Sequence, residues 1–359
     1  MRVHITDVRS GDRLSEDVFN AYGLHVLSKG TPLNEKEISR IFQHQIDYVS
    51  IEHRESPSAA IAVMEPEVKA PTTTVKAPEY NPLLRPLYHD AVAGAEQLFE
   101  RASIEGRIYE DDVRESFQPL VENFRTERDV VSLLLMLNTQ DDYTYQHSVQ
   151  VGMLSYYIAR WLGWSEEDTV RAGKAGFLHD VGKCRIAEVI LNKPAKLNDE
   201  EYKEIQNHPQ YGYEILTRSF KDEEVALAAL QHHERIDGTG YPQGLSGEQI
   251  HPLARIVAVA DVYSAMISSR VYSEKKDLHF VLKELYELSF KELDPDITHT
   301  FIRHMVPNFI GKRVELSNGV LGVIVMTNPT DFFRPLVQVD DEFIDLSVVR
   351  DISILEVNM

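Results

Sequence analysis

The stretch from His179 to Pro242 constrains this chain more than any other. It opens with His179-Asp180-Val181-Gly182-Lys183, passes through His208-Pro209, and closes on His232-His233-Glu234-Arg235-Ile236-Asp237-Gly238-Thr239-Gly240-Tyr241-Pro242. The imidazoles and the carboxylate of Asp180 recur here at helical intervals, in segments whose apolar spacing reads as buried. Groups of this kind are costly to bury unless something cationic holds them. A fold that accommodates the stretch must therefore gather helices around a shared polar centre, and a pair of divalent metals is the charge that would satisfy it.

Two residues outside the stretch extend the pattern. Asp261 stands in Arg255-Ile256-Val257-Ala258-Val259-Ala260-Asp261-Val262-Tyr263, an apolar helix interior. A carboxylate there costs several kcal/mol unless it is neutralised or bound to a cation. Pairing with Arg255, or capping of a neighbour, is the purely structural alternative. His147 shares a helix face with Val151, Leu154 and Ile158, the side expected to point inward. Alone it would read as a satisfied core histidine. The separations 179−147 = 32, 208−179 = 29 and 232−208 = 24 are each about one helix plus a connection. Successive helices can thus each bring a ligand to one bundle core. The neighbours His179-Asp180 and His232-His233 stand about 100° apart on an ideal helix. Such neighbours suit two metals side by side, or one metal at a frayed helix end. Both pairs also fall near expected helix C-termini, where the backbone dipole favours cations.

Composition narrows the chemistry. The 359 residues suggest two or three domains. A formal net charge of −20 argues against a polymeric nucleic acid as partner, because phosphate neutralisation needs a basic surface. A small anionic substrate stays compatible, since bound cations dominate the field inside a pocket. The single cysteine, Cys184, excludes an intrachain disulfide and fits a reducing compartment. No apolar run reaches spanning length and Met1-Arg2-Val3-His4 does not start a signal peptide, so the expectation is a cytoplasmic protein without membrane insertion.

Pattern divides the chain into four parts. Residues 1–54 read as a small α+β module: a strand at Val3-His4-Ile5, a turn at Asn20-Ala21-Tyr22-Gly23, strands at Leu24–Leu27 and Tyr48–Ile51, and a helix over Glu35–Gln43 capped by Asn34. His25, His44 and His53 are expected at its surface or edges. Residues 55–81, rich in Ala, Thr and Pro, read as a linker. From Pro82 to about residue 310 the spacing is helical, with segments at Pro82–Ala102, Glu110–Leu137, Tyr143–Leu162, Ser165–Val181, Asn198 onward, Asp222–His233, Leu253–Ile267, Leu278–Phe290 and Asp296–Val306. Gly182 is placed to terminate the helix that carries His179. Residues 311–359 change to strand periodicity, with an Asn-Gly hairpin signal at Ser317-Asn318-Gly319 and further strands at Leu336–Val339 and Ile352–Leu355. The fold class expected is mainly α: an all-helical bundle flanked by a small α+β module and a small antiparallel β module.

Imidazole with carboxylate suits Fe or Mn first, with Ni, Co or Zn as alternatives. A two-metal centre supplies a metal-activated hydroxide and stabilises charge on an attacked phosphoryl group, which is what phosphodiester cleavage requires. Lys183 and Arg270 would add positive charge for phosphate oxygens, unless they are solvated surface residues.

The motif set resembles a known family. His147, His179-Asp180 and Asp261 are similar to the HD superfamily of metal-dependent phosphohydrolases. His208-Pro209 with Gly212, His232-His233-Glu234 and Asp237-Gly238-Thr239-Gly240-Tyr241-Pro242 resemble its HD-GYP branch, over roughly residues 135–305. The resemblance implies hydrolysis of cyclic di-GMP to pGpG or GMP. It implies that His147, His179, Asp180 and Asp261 hold one metal, and that Asp180 bridges to a second held by His208, His232 and His233. Asp180 and Lys183 are then the catalytic residues, while Lys183, Arg270, Gly240, Tyr241 and Pro242 form the substrate mouth. Partners expected are cyclic di-GMP as substrate and, beyond it, a second copy of the chain or a signalling protein, and the Gly240-Tyr241-Pro242 loop shapes either the substrate mouth or a partner surface. The rival functions are a feeble or inactive cyclic di-GMP receptor, or an HD phosphohydrolase acting on another cyclic dinucleotide. Three positions depart from the family pattern. Tyr143 stands where some members place a Glu that supports a third metal, which favours a binuclear centre. Ser264 and Ser273 stand where an Asp and a basic residue are frequent, and they bear on affinity, rate and substrate preference.

Overall fold

A computed structural model of the chain describes residues 84–125, 143–193, 195–268 and 278–358, with shorter stretches between residues 2 and 51. The expected linker, the C-terminal half of the Glu110–Leu137 segment, most of the Glu35–Gln43 helix, His44, His53, Arg270 and Ser273 lie outside the described residues. Two compact units are present, Met1–Val75 and Lys76–Met359.

In the first unit, β1 (Arg2–His4) pairs antiparallel with β4 (Tyr48–Ser50), and β2 (Val18–Phe19) with β3 (His25–Leu27). Val3, Leu14, Val18, Leu27, Leu33, Ile41, Val49 and Ile51 form its core. The Asn34 side chain accepts a hydrogen bond from the Glu37 amide at 3.3 Å, the N-cap contact its position predicts.

The second unit is a helical bundle that ends in a sheet. Its long helices are α1 (Leu84–Glu105), α2 (Glu110–Phe124), α3 (Tyr143–Trp161) and α4 (Glu166–Leu178). Shorter ones follow: α5 (Asp199–Ile205), α6 (His208–Ser219) and α7 (Glu223–Gln231). The bundle closes with α8 (Pro252–Ser268), α9 (Leu278–Leu288) and α10 (Pro295–Met305). Local chemistry sets several of the starts. Ser165 caps α4, Asn198 and Glu201 form a reciprocal capping box on α5, and Asp222 caps α7. Pro209 occupies the first turn of α6, where its missing N–H leaves no bond unmade. Helix α8 is buried on nearly every side, from Leu253 through Ala260 to Tyr263, which makes it the central element of the bundle.

The C-terminal strands are β5 (Arg313–Leu316), β6 (Leu321–Met326), β7 (Leu336–Val339), β8 (Glu342–Asp345) and β9 (Ile354–Asn358). They form one antiparallel sheet in the order β8-β7-β6-β5-β9. Gly319 at φ 79° makes the expected turn between β5 and β6. The inward residues Val314, Leu316, Ile324 and Val337 join the same apolar core as the helices. His279 on α9 meets Phe309 and Phe333 edge-on, and Tyr286 meets Phe332, so the module is packed onto the bundle through aromatic contacts.

One local expectation is revised. Helix α4 stops at Leu178, and Val181–Arg185 forms a tight 3-10 turn instead of continuing the helix. Gly182 is not a left-handed terminator. It lets this turn abut the start of α6, where an added Cβ would lie 2.0 Å from the His208 carbonyl oxygen and 2.4 Å from the Gly212 amide. Gly182→Ala should therefore destabilise the protein by about 3 kcal/mol, an overpacking penalty on rigid backbone, and reduce bound metal. Gly212→Ala, whose Cβ would meet Ala229 at an ordinary 3.5 Å, should stay within about 1 kcal/mol of the parent. Thermal melts and metal analysis of the two variants check this; equal stabilities would contradict it.

Candidate metal centre

Seven side chains from five segments meet inside the bundle. His147 comes from α3, His179 and Asp180 from the end of α4, and His208 from the start of α6. His232 and His233 follow α7, and Asp261 lies within α8. They form two groups, His147-His179-Asp261 and Asp180-His208-His232-His233, and in each group the ligand atoms lie within 4.8 Å of one another. Every imidazole and carboxylate singled out in the sequence as a metal ligand is in one of these groups.

Asp180 is the link. Its Oδ2 lies 3.3 Å from His179 Nε2 and 3.8 Å from His147 Nε2. Its Oδ1 lies 3.2 Å from His208 Nε2 and 3.8 Å from His232 Nε2. One carboxylate thus faces both groups. Asp261 Oδ1 stands 3.0 Å from His147 Nε2 and 3.8 Å from His179 Nε2, while Arg255 pairs with Asp294 at 3.0 Å. Pairing of Asp261 with Arg255, the structural alternative, is not what the fold does.

The tautomers follow from helix ends. His179 Nδ1 donates to the Gly176 carbonyl at 2.7 Å, His208 Nδ1 to Ile205 at 2.6 Å, and His232 Nδ1 to Ala229 at 2.8 Å. Each ring stands at or just past a helix end, where the carbonyl three residues back lacks its helical partner. With the proton held on Nδ1, each Nε2 lone pair points into the centre. His208 Nε2 and His232 Nε2 are only 3.3 Å apart, a repulsive contact of two lone pairs unless a cation lies between them. His179 Nε2 and Asp180 Oδ1 are buried without a hydrogen-bond partner. Converging imidazole and carboxylate donors with orphaned lone pairs fit a binuclear divalent-metal site and suit Fe, Mn, Ni, Co or Zn.

The electrostatics match. Burial raises the Asp180 carboxyl, but His179 and Lys183 outweigh it and hold the group well below the ordinary carboxylate range. Asp261 is likewise held low against burial, by His147, His179 and His233. Lys183 donates to Asp180 Oδ2 at 2.5 Å, so the lysine expected at the substrate also balances the central carboxylate.

The glycine-rich loop is tied to the centre. The Tyr241 ring stacks on His233 at 4.7 Å, and its amide donates to the His233 carbonyl. Gly240 has an ordinary φ; what it supplies is room, since a Cβ there would sit 2.4 Å from that carbonyl. Sequence reasoning missed the role of Glu234. It is buried, and its two carboxylate oxygens accept from the amides of Gln243 and Leu245 at 2.7 and 2.9 Å, which fixes the loop behind the ligands. A charged residue beside two histidines, followed by a glycine-rich loop whose backbone amides need acceptors, was the available signal. The substrate roles of Gly240, Tyr241, Pro242 and Lys183 stay proposals, and Arg270 lies outside the described residues.

Residues 132–297 match the family model of the HD domain. The chain thus carries an HD-superfamily domain, and that domain holds the double ligand cluster. A cyclic di-GMP phosphodiesterase of Pseudomonas aeruginosa is 39% identical over 207 residues, 57% of this chain and 50% of that protein. One of Thermotoga maritima is 39% identical over 178 residues, covering 49% of this chain and 48% of the relative. A 3'3'-cGAMP-specific phosphodiesterase of Vibrio cholerae is 37% identical over 175 residues, 48% and 41% of the two chains. The chain spans about half the length, or less, of these curated relatives. No helix among the described residues is long and apolar enough to cross a membrane.

Burial and neighbouring imidazoles depress His232 well below its ordinary value, and burial drives His233 down to about 3. The unfolded chain titrates both near 6.5, so below that pH it binds more protons than the folded, metal-free protein. Stability should fall as pH drops from about 6.5 toward 3. His179 acts oppositely: burial lowers it, but Asp180 and Asp261 raise it overall, so its contribution is complete below about 6.5 and is lost only as pH rises through its folded value. Urea midpoints of chelator-treated protein should therefore decline between pH 6.5 and 4, and a flat profile would contradict the burial argument.

Proposed function

We propose that the chain is a metal-dependent phosphodiesterase that hydrolyses cyclic di-GMP to pGpG or GMP. The observation that carries the proposal is the single Asp180 carboxylate facing two complete sets of imidazoles. A paired divalent centre held there supplies an activated water and positive charge for the phosphoryl oxygens. The chain's own residues do the rest. Asp180 and Asp261 keep their negative charge and fix the spacing of the two groups. Lys183, beside Asp180 and partly exposed, offers an ammonium to a phosphate oxygen. Arg270 is assigned a second phosphate contact. Tyr241, stacked on His233, forms a wall of the mouth, with Gly240 and Pro242 fixing its position. The cyclic di-GMP phosphodiesterases among the relatives support this substrate class.

The substrate is the point at which a second reading has support. A relative of nearly equal identity is a cGAMP-specific phosphodiesterase, so a hybrid cyclic dinucleotide is the alternative. The test is turnover of purified chain loaded with Fe(II) or Mn(II) against a panel of cyclic dinucleotides, with products resolved by chromatography. Cyclic di-GMP should be consumed fastest, and chelation should abolish the activity. Faster cleavage of the hybrid dinucleotide would reassign the substrate. Binding without turnover of any member would leave a receptor. Asp180→Ala should lose about 100- to 1,000-fold in rate, as expected when an electrostatic group at the reacting centre is removed, together with most bound metal. Near-parental hydrolysis by that variant would remove the bridging role.

A further inference from the structure

His179, His208 and His232 take their tautomer from carbonyls at helix ends; His147 is placed differently. It lies inside α3, where the carbonyl three residues back, that of Thr144, accepts from the Ser148 hydroxyl at 3.2 Å and lies within the helical ladder. His147 Nδ1 is instead 3.0 Å from Ser264 Oγ on α8. Ser264 Oγ donates to Gln150 Oε1 at 3.0 Å, and Gln150 Nε2 reaches the Tyr88 hydroxyl on α1 at 3.5 Å. All four side chains are buried, with Ser264 at 0% and Tyr88 at 1% exposure.

Direction follows from the donor inventory. An amide oxygen only accepts, so the one hydroxyl proton of Ser264 is used on Gln150. The bond from His147 must then run from Nδ1–H to the serine oxygen. Nε2 then faces Asp261 Oδ1 at 3.0 Å and Asp180, and it is as the lone-pair donor to a cation held between them that this nitrogen has the orientation a metal ligand needs. The amide of Gln150 is oriented in turn by its contact with Tyr88.

We propose that Ser264 and Gln150 are positioning residues for the metal ligand His147, setting its tautomer through a hydrogen-bond chain that starts at Tyr88. Neutral side chains do for this residue what helix-end carbonyls do for His179, His208 and His232. The chain also ties the lead-in helix α1, which contributes no ligand, to the geometry of the centre. The inference rests on the ligand cluster and not on the identity of the substrate.

The experiment reads metal and tautomer, not turnover. Apo protein titrated with Mn(II) alone, followed by calorimetry, should show two binding events. Ser264→Ala should weaken one of them by about 10- to 100-fold and leave the other within about twofold, the effect typical of removing an outer partner of a ligand. Ser264→Asp, which keeps an acceptor at the site, should bind Mn(II) at least as tightly as the parent. Parental affinity in Ser264→Ala, or equal weakening in both variants, overturns the proposal. The unmodified protein supplies a test free of folding effects. In the Zn(II)-loaded, 15N-histidine-labelled chain, the His147 signal, identified by its absence in His147→Gln, should report a protonated Nδ1. A protonated Nε2 or a metal-bound Nδ1 at His147 would equally overturn it. Loss of cyclic di-GMP hydrolysis with both readouts as expected would count against the substrate assignment alone.

Discussion

The arrangement depends on one buried carboxylate that faces in two directions. Asp180 is almost wholly shielded from water, and its two oxygens address different sets of imidazoles. An isolated charge in that position would be worth several kcal/mol of destabilisation unless positive charge faces it. Positive charge has to be supplied. Lys183 provides part of it from one side, and the converging Nε2 lone pairs define where cations supply the remainder. The surrounding fold can be read as the means of keeping this carboxylate in place. Helix α4 ends one residue before His179, a tight turn follows, and Gly182 brings that turn against α6 so that His208 reaches the second oxygen.

The same economy governs the ligands. A helix interior offers no spare carbonyl, whereas the ends of α4, α5 and α7 offer several. Placing His179, His208 and His232 at or just beyond such ends satisfies backbone acceptors and fixes the ring tautomers with a single set of bonds. It also directs the negative ends of helix dipoles toward the cation site. Two ligands are exceptions because they lie inside helices. Asp261 on α8 faces the site directly, and His147 on α3 depends on Ser264 from α8. The central helix therefore supplies one ligand and orients another, which accounts for a polar pair, Asp261 and Ser264, on an element otherwise buried among apolar side chains.

Much of this was legible because the relevant signals are local. Apolar spacing marked the helices, and Ser165, Asn198 and Asp222 marked three of their starts. The Asn-Gly dipeptide marked the β5–β6 hairpin. The clustered histidines and aspartates were legible for a different reason: ionisable residues in apolar stripes conflict with burial, and the conflict singled them out. What escaped was set by tertiary packing. Gly182 looked like a helix terminator because glycine often is one, but its reason is the approach of α6. Strand β8 went unread because Glu342-Phe343-Ile344-Asp345 is a short, mostly exposed edge strand, and its turn contains Asp340 at φ 51° without the glycine that usually announces one. Glu234 was recognised only as part of a motif, since its acceptors' partners, the amides of Gln243 and Leu245, lie nine and eleven residues away.

The acidic balance of the chain and an anionic substrate are compatible once range is considered. Exposed charges farther apart than about 8 Å are largely screened at physiological ionic strength, so the net −20 acts as a diffuse background. Inside the bundle the counting is local. Arg185 is engaged by Glu214, and Arg235 turns to the carbonyls of His232 and Glu234. Lys183 is the described basic side chain bonded directly to a ligand carboxylate. On the proposed function, attraction of a phosphodiester would therefore rest on the ions the cluster holds, on Lys183 and on Arg270, not on a basic surface. It follows that removing the ions would forfeit substrate binding as well as chemistry, because the same side chains that create the need for cations are the ones that would otherwise repel the phosphate.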